Sequence, residues 1–201
     1  MIKLYGPRMG SAMRSHWVLA EVGAEYEDVA IDMRQGDHKK PDFLEMNPNG
    51  QVPVMVDSDF VLYESIAICN YVAEKYMPVL LGSTPEEKAL VLQWSLWSSF
   101  NIQKHFGTMF GQKLSGTNDE TILHDAKTHV ERYLAILDKS LEGKEYLVGD
   151  QFTLAEINVT VAVSYAHFVD YDYSAYPNIT RWMKMVMDRP AFLKSAAQEN
   201  K

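Results

Sequence analysis

The run Asn47–Val72, NPNGQVPVMVDSDFVLYESIAICNYV, decides the fold of this chain. A proline between two apolar stretches cannot continue a helix and brings no N–H to a sheet ladder. Val52-Pro53 therefore reads as a bend at a strand edge, a place where a cis bond is tolerated. Two short β-type runs follow, Val54–Val56 and Phe60–Leu62, with Asp57-Ser58-Asp59 between them as a tight hairpin turn. Glu64-Ser65 then stands where a helix begins. An acid and a hydroxyl beside the unpaired N–H groups of a helix start can receive an ammonium and a carboxylate respectively. A backbone edge next to such a pair suits a small peptide.

Outward from this run, residues 1–76 alternate strand and helix signals. Ile2–Tyr5 is a short strand, and Ser11 to Val22 fits a helix with Val18, Leu19 and Val22 on one face, stopped by Gly23. Tyr26–Ile31 alternates as a second strand, and Glu64–Tyr76 closes the segment as a helix. Met33–Pro48 reads as a polar loop holding a short helix near Pro41–Met46. The order β-α-β, a long connection, then β-β-α looks like a thioredoxin-type fold.

Met77–Thr84, with Pro78 and Gly82, reads as a linker. From Pro85 onward the pattern is helical only. Leu90, Trp94, Trp97 and Asn101 share one helical spacing, and Val130, Leu134, Leu137 and Leu141 share another. Phe152-Thr153-Leu154-Ala155-Glu156-Ile157 spells a capping box with a hydrophobic staple. Two later helices are expected from Asn178 to Met187 and from Pro190 to about Ala197. The chain is thus expected to form an α/β domain over 1–77 and an all-α domain over 85–201.

The 201 residues are 47% hydrophobic and 23% charged, enough for one large or two small cores. A formal charge of −8 with no basic cluster beyond Lys39-Lys40 argues against a nucleic-acid partner. No run approaches the ~18 apolar residues of a spanning helix, and MIKLYGPRMG lacks the apolar core of a signal peptide. The single cysteine, Cys69, falls in an apolar helical stretch, so no intrachain disulfide forms and a reducing, cytoplasmic setting is expected. No Cys/His cluster has ligand spacing, so no metal site is expected. His105 and His167 read as core or surface histidines, and Met183, Met185 and Met187 as core filler.

The string from Asn47 to Val72, in its order and spacing, resembles the glutathione site of the cytosolic glutathione transferase family, in a bacterial-like form, and the resemblance runs over nearly the whole chain. It implies a thioredoxin-like domain followed by a helical one, a homodimer, glutathione as co-substrate, and conjugation of the kind that detoxifies electrophiles. It further implies that Val52, before Pro53, pairs backbone to backbone with the cysteinyl part of glutathione, and that Glu64 and Ser65 receive its γ-glutamyl end. Lys39 or His38, with Gln51, is implied for the glycine carboxylate. In the family's second domain the capping box usually carries Asp where this chain has Glu156.

Glutathione's thiol has an ordinary pKa, so near neutral pH little of it is thiolate. The place to lower that pKa is the N-terminus of the first helix, facing the bend. Two hydroxyls compete there. Ser11 lies at the helix start, where a thioredoxin-type redox protein carries Cys-x-x-Cys and Ser-type transferases place their active residue. Tyr5 ends the first strand and matches the catalytic position of Tyr-type transferases. Ser11 also reads as an N-cap and Tyr5 as a packed aromatic. Arg14 either adds positive potential near the sulfur, binds a carboxylate across the dimer, or is a solvated surface residue. On the helix after Pro85, Trp94, Trp97, Phe100, Asn101, His105 and Phe106 supply a core face and an opposite face to wall an apolar co-substrate pocket, with Trp94 and Trp97 assigned to the core. Two other readings stand beside the transferase: a glutathione-dependent reductase or isomerase acting on a disulfide or peroxide, and a binding or regulatory module without catalysis.

Overall fold

The computed structural model describes residues 1–197 in two compact units, one of Met1–Leu80 with the segment from Arg189, the other Leu81–Asp188. In the first, β1 (Ile2–Tyr5), β2 (Tyr26–Val29), β3 (Val54–Asp57) and β4 (Phe60–Tyr63) form a sheet of order β2-β1-β3-β4. β1 runs parallel to β2 and antiparallel to β3, which pairs antiparallel with β4. The β1–β2 crossover carries α1 (Met13–Glu21), entered through a 3-10 turn at Gly10–Ala12. α2 (Pro41–Met46) lies in the long connection and α3 (Ser65–Tyr76) follows β4.

Alternation along β1 buries Ile2 and Leu4 and leaves Lys3 and Tyr5 on the other face. Leu4, Trp17, Val54, Met55, Ile68, Cys69 and Val72 are all fully buried and form the core of this unit. The hairpin closes with Ser58-Asp59, since Asp57 pairs with Phe60 and belongs to β3. Tyr71 of α3 donates to Asp57 Oδ2 at 2.8 Å and Lys75 pairs with the same oxygen, tying the helix to the strand end.

The second unit is helical, with α4 (Pro85–Trp97), a π-helical turn at Ser98–Gln103, α5 (Lys104–Ser115), α6 (Glu120–Ser140), α7 (Leu154–Ser164) and α8 (Pro177–Met187). α7 is buried from Leu154 to Val163, which makes it the central helix. Val130, Leu134, Leu137 and Leu141 are fully buried, as their spacing predicts.

On α4 the expected stripe is corrected. Leu90 is exposed and Trp94 and Trp97 are only half-buried, while Val91, Ser95, Ser98 and Ile102 face inward. The cause is polar. Buried Asn158 of α7 donates to Ser95 Oγ at 2.8 Å, and Ser98 donates to the Ser95 and Asn158 carbonyls, so small hydroxyls occupy the inner face. Trp97 instead packs edge-on against Trp94 and Tyr133.

The assignment of residues 85–201 to one helical domain is also corrected at its end. α9 (Pro190–Ala196) groups with the first unit, where Phe192 packs on Trp17 at 4.8 Å and Arg189 pairs with Glu21. Residues 198–201 of that span lie outside the described residues. Among the described residues no helix is long and apolar enough to cross a membrane.

Candidate functional site

The Val52-Pro53 peptide bond is cis, and the bend leads directly into β3. Ser11, in the 3-10 turn ahead of α1, donates to the Val52 carbonyl oxygen at 3.5 Å. The helix start and the bend are therefore adjacent, across 41 residues of chain. Gly6 makes the approach feasible. It sits at φ +144°, and a Cβ there would lie 3.1 Å from Ala12 Cβ and 3.3 Å from Val52 Cβ. A side chain would push the β1–α1 turn off the bend.

Tyr5 ends β1, its Cα opposite Val54 on one side and Val29 on the other. It is half-buried on the face shared with Lys3. Ser11 is the hydroxyl that the structure brings onto the bend.

Glu64 is the N-cap of α3 and adopts φ 72°, ψ 111°, a conformation a non-glycine residue rarely occupies. Its carbonyl accepts from Ile68 N–H at 2.9 Å and starts the helix, while the side chain is exposed. Ser65, the first residue of α3, is 8% exposed, with its Oγ 3.5 Å from Arg14 Nη1. Arg14 itself is buried, 1% exposed, so its reading as a solvated surface residue is corrected. Its guanidinium lies beneath the start of α3 and adds positive potential to the N–H groups there.

Lys39 reaches across the polar loop to donate to the carbonyls of Gly50 (2.9 Å) and Asn49 (3.4 Å). This places its ammonium next to Gln51, whose carbonyl accepts from Asn47 Nδ2 at 2.8 Å while its side chain is exposed. Gly50 at φ +57° allows the packing, since a Cβ would come within 2.7 Å of Lys39 Nζ. His38 contributes backbone to the same contact.

Cys69 is fully buried in α3, and desolvation pushes its thiol up to about 12, only partly offset by the charge of Arg14. It is inert as a nucleophile near neutral pH. Sequence reading passed over His16. It is fully buried on α1, and desolvation holds it below its ordinary 6.5 against the pull of its hydrogen bond to Gly6 and of Asp28. Near neutral pH this favours the neutral imidazole, and the acceptor-only Gly6 carbonyl places its proton on Nε2. Nε2–H donates to the Gly6 carbonyl at 3.1 Å and Nδ1 accepts from the Tyr26 hydroxyl at 2.9 Å. A histidine in an apolar helix carries no sign of such partners, ten residues away in each direction.

A thioredoxin-like unit with a cis-proline bend facing a helix start, followed by an all-helical unit, defines a class of thiol-handling proteins, and the comparisons narrow it. Residues 1–74 match the family model for the N-terminal domain of glutathione S-transferase and residues 98–190 the model for its C-terminal domain. Glutathione S-transferase 1 of Zea mays is 33% identical over 98% of this chain and 96% of its own length. Glutathione S-transferase of Hyoscyamus muticus is 31% identical over 96% and 97%. Among solved structures, glutathione transferase F7 from Populus trichocarpa superposes with a TM-score of 0.87 at 29% identity, covering 98% of both chains. A glutathione S-transferase-I bound with lactoylglutathione gives 0.84 at 32% identity, covering 97% of this chain and 98% of its own. The chain belongs to the glutathione S-transferase family.

Proposed function

We propose that this transferase binds glutathione along the bend and the start of α3, holds its sulfur as thiolate with the Ser11 hydroxyl, and joins it to an electrophilic carbon of a small apolar compound. The observation that carries the reading is the contact of Ser11 with the Val52 carbonyl, which sets a hydroxyl at a helix N-terminus beside the backbone edge. On this reading Val52 pairs with the cysteinyl backbone. Glu64 takes the γ-glutamyl ammonium and Ser65, over Arg14, its carboxylate. Lys39 and Gln51 take the glycine carboxylate. The solved relative bound with lactoylglutathione supports a glutathione-type ligand.

The chemistry asks for a lower thiol pKa. A drop of about two units requires about 2.7 kcal/mol of preference for the thiolate. An O–H donated to sulfur and the positive end of α1 supply energies of this order. The thiolate pair then attacks carbon, a C–S bond forms, and the leaving group departs with its bonding electrons. Cys69, buried with its thiol at about 12, offers no enzyme-borne sulfur for the reductase chemistry of a mixed disulfide. The protein is further proposed to work as a cytoplasmic homodimer, which a sedimenting species of 22.9 kDa at micromolar concentration would contradict.

The deciding experiment is the ultraviolet thiolate absorbance of bound glutathione against pH. Ser11→Ala should raise the bound thiol's pKa by about one to two units, slowing conjugation of a chloronitrobenzene roughly 10- to 100-fold at pH 7, with affinity kept within a few fold. Tyr5→Phe should change little. A titration moved by Tyr5→Phe and not by Ser11→Ala would reverse the roles, and faster turnover of a small mixed disulfide than of the chloronitrobenzene would favour the reductase.

A further inference from the structure

The β1–α1 turn, Gly6 to Gly10, carries no regular backbone pairing with the sheet, yet it sets where Ser11 stands. Two side chains fix it. On the outer side, Arg8 donates through Nε to Asp28 Oδ2 at 2.9 Å and through Nη1 to the Ser195 carbonyl at 3.1 Å. On the inner side, the buried His16 ring donates to the Gly6 carbonyl, and its other nitrogen is committed to Tyr26. Gly6 in turn is wedged between Ala12, the neighbour of Ser11, and Val52. A chain of contacts thus runs from Tyr26 through His16 and Gly6 to the Ser11 hydroxyl and the Val52 carbonyl that meet at the bend.

We propose that His16 is a positioning residue for thiolate formation: its Nε2–H, required by the acceptor-only Gly6 carbonyl and aimed by the hydrogen bond between Nδ1 and the Tyr26 hydroxyl, clamps Gly6 against Val52 and so keeps the Ser11 hydroxyl on the bend. The inference rests on Ser11 being the sulfur's donor. A ring that only filled the core would be replaceable by any side chain of equal volume. A clamp needs the N–H. Gln carries an N–H near the Nε2 position, whereas Phe fills the space without a donor.

In the full chain, His16→Phe should raise the pKa of bound glutathione by about one unit and lower kcat about 10-fold at pH 7, with KM for glutathione within about threefold. His16→Gln should return both to within about twofold of the starting protein. Tyr26→Phe, which removes the hydrogen bond that orients the ring, should move the titration in the same direction by less. In a Ser11→Ala background, His16→Phe should add nothing, because the hydroxyl it positions is gone. A folded His16→Phe protein with an unchanged titration overturns the inference, as does a full effect retained on top of Ser11→Ala. Should His16→Phe fail to fold, an unshifted titration in Tyr26→Phe overturns it equally. If Ser11→Ala alone leaves the titration where it was, the Ser11 reading fails first. A shift in Ser11→Ala without one in His16→Phe sinks the clamp and leaves that reading standing.

Discussion

Two glutamates stand at helix starts in this molecule and meet opposite fates. Glu156 sits in the first turn of α7, fully buried, and accepts from Leu147 N–H (2.7 Å), Thr153 N–H (2.8 Å) and the Thr153 hydroxyl (2.8 Å). Glu64 caps α3 from a left-handed backbone, and its side chain is exposed. The first acid is consumed by the fold: every lone pair in use closes a capping box and anchors the preceding loop. The second is held outward on a backbone that costs about 1–3 kcal/mol. Stability alone would place a glycine there. We propose that the acid kept at this position, beside a hydroxyl and a buried arginine, serves the γ-glutamyl ammonium of glutathione rather than the fold.

The comparison is broken most forcefully at Glu156. Glu156→Ala orphans two buried backbone donors, each costing about 1–3 kcal/mol, so unfolding in urea should show a loss of roughly 2–6 kcal/mol. Glutathione affinity of the folded fraction should be unchanged. A loss under about 1 kcal/mol would mean that the buried donors find other partners. The pH dependence adds a sign. Burial lifts the Glu156 carboxyl above its ordinary 4.5, and its hydrogen bonds only partly oppose this. The native state then holds the proton more tightly than the unfolded chain. Stability from this group therefore rises as pH falls through the native pKa towards 4.5. Glu156→Gln should remove that component. If the two stability profiles run parallel from neutral pH down to about 4.5, the lifted pKa is refuted.

At Glu64 the expected signs separate. Glu64→Ala should weaken glutathione binding by about 1.5–3 kcal/mol, the worth of a charge-assisted contact. Glu64→Gly should weaken binding as much while stabilising the fold by about 1 kcal/mol, since glycine takes the left-handed conformation without strain. Calorimetric titration and urea unfolding on the same two proteins decide it. Unchanged affinity in both would remove Glu64 from the site. A Glu64→Gly protein less stable than the original would show that the carboxylate serves the fold after all.

The difference between these helix starts was partly legible in sequence. Thr153 and Glu156 at capping-box spacing before an apolar run, and Glu64-Ser65 after a hairpin, are local patterns, and local patterns set strand and helix starts here. What escaped was tertiary. Arg14 looks like any surface arginine because Ser65, the α3 residue that its guanidinium meets, lies about fifty positions on. His16 has partners on β2 and in the β1–α1 turn that no periodicity exposes. On α4, Ser95 and Ser98 are polar letters, so a hydrophobic count skips the face that Asn158 draws inward. α9 is short and amphipathic, and nothing in its seven residues says that it packs on α1.

The smallest expected effect tests the proposed glutathione-binding set at an exposed lysine. Lys39 donates to the Gly50 and Asn49 carbonyls, and on the proposed reading its third N–H meets the glycine carboxylate. Exposed charge pairs are worth about 0.2–1 kcal/mol and are screened by salt, unlike the buried bonds of Glu156. Lys39→Met should therefore weaken glutathione binding only about two- to fivefold at low ionic strength. It should also flatten the dependence of affinity on salt between about 0.01 and 1 M. Calorimetric titration across that range reads both effects. A variant that keeps the full salt dependence would show that Lys39 only braces the Asn49–Gly50 turn, and that the glycine carboxylate is met by Gln51 without a cation.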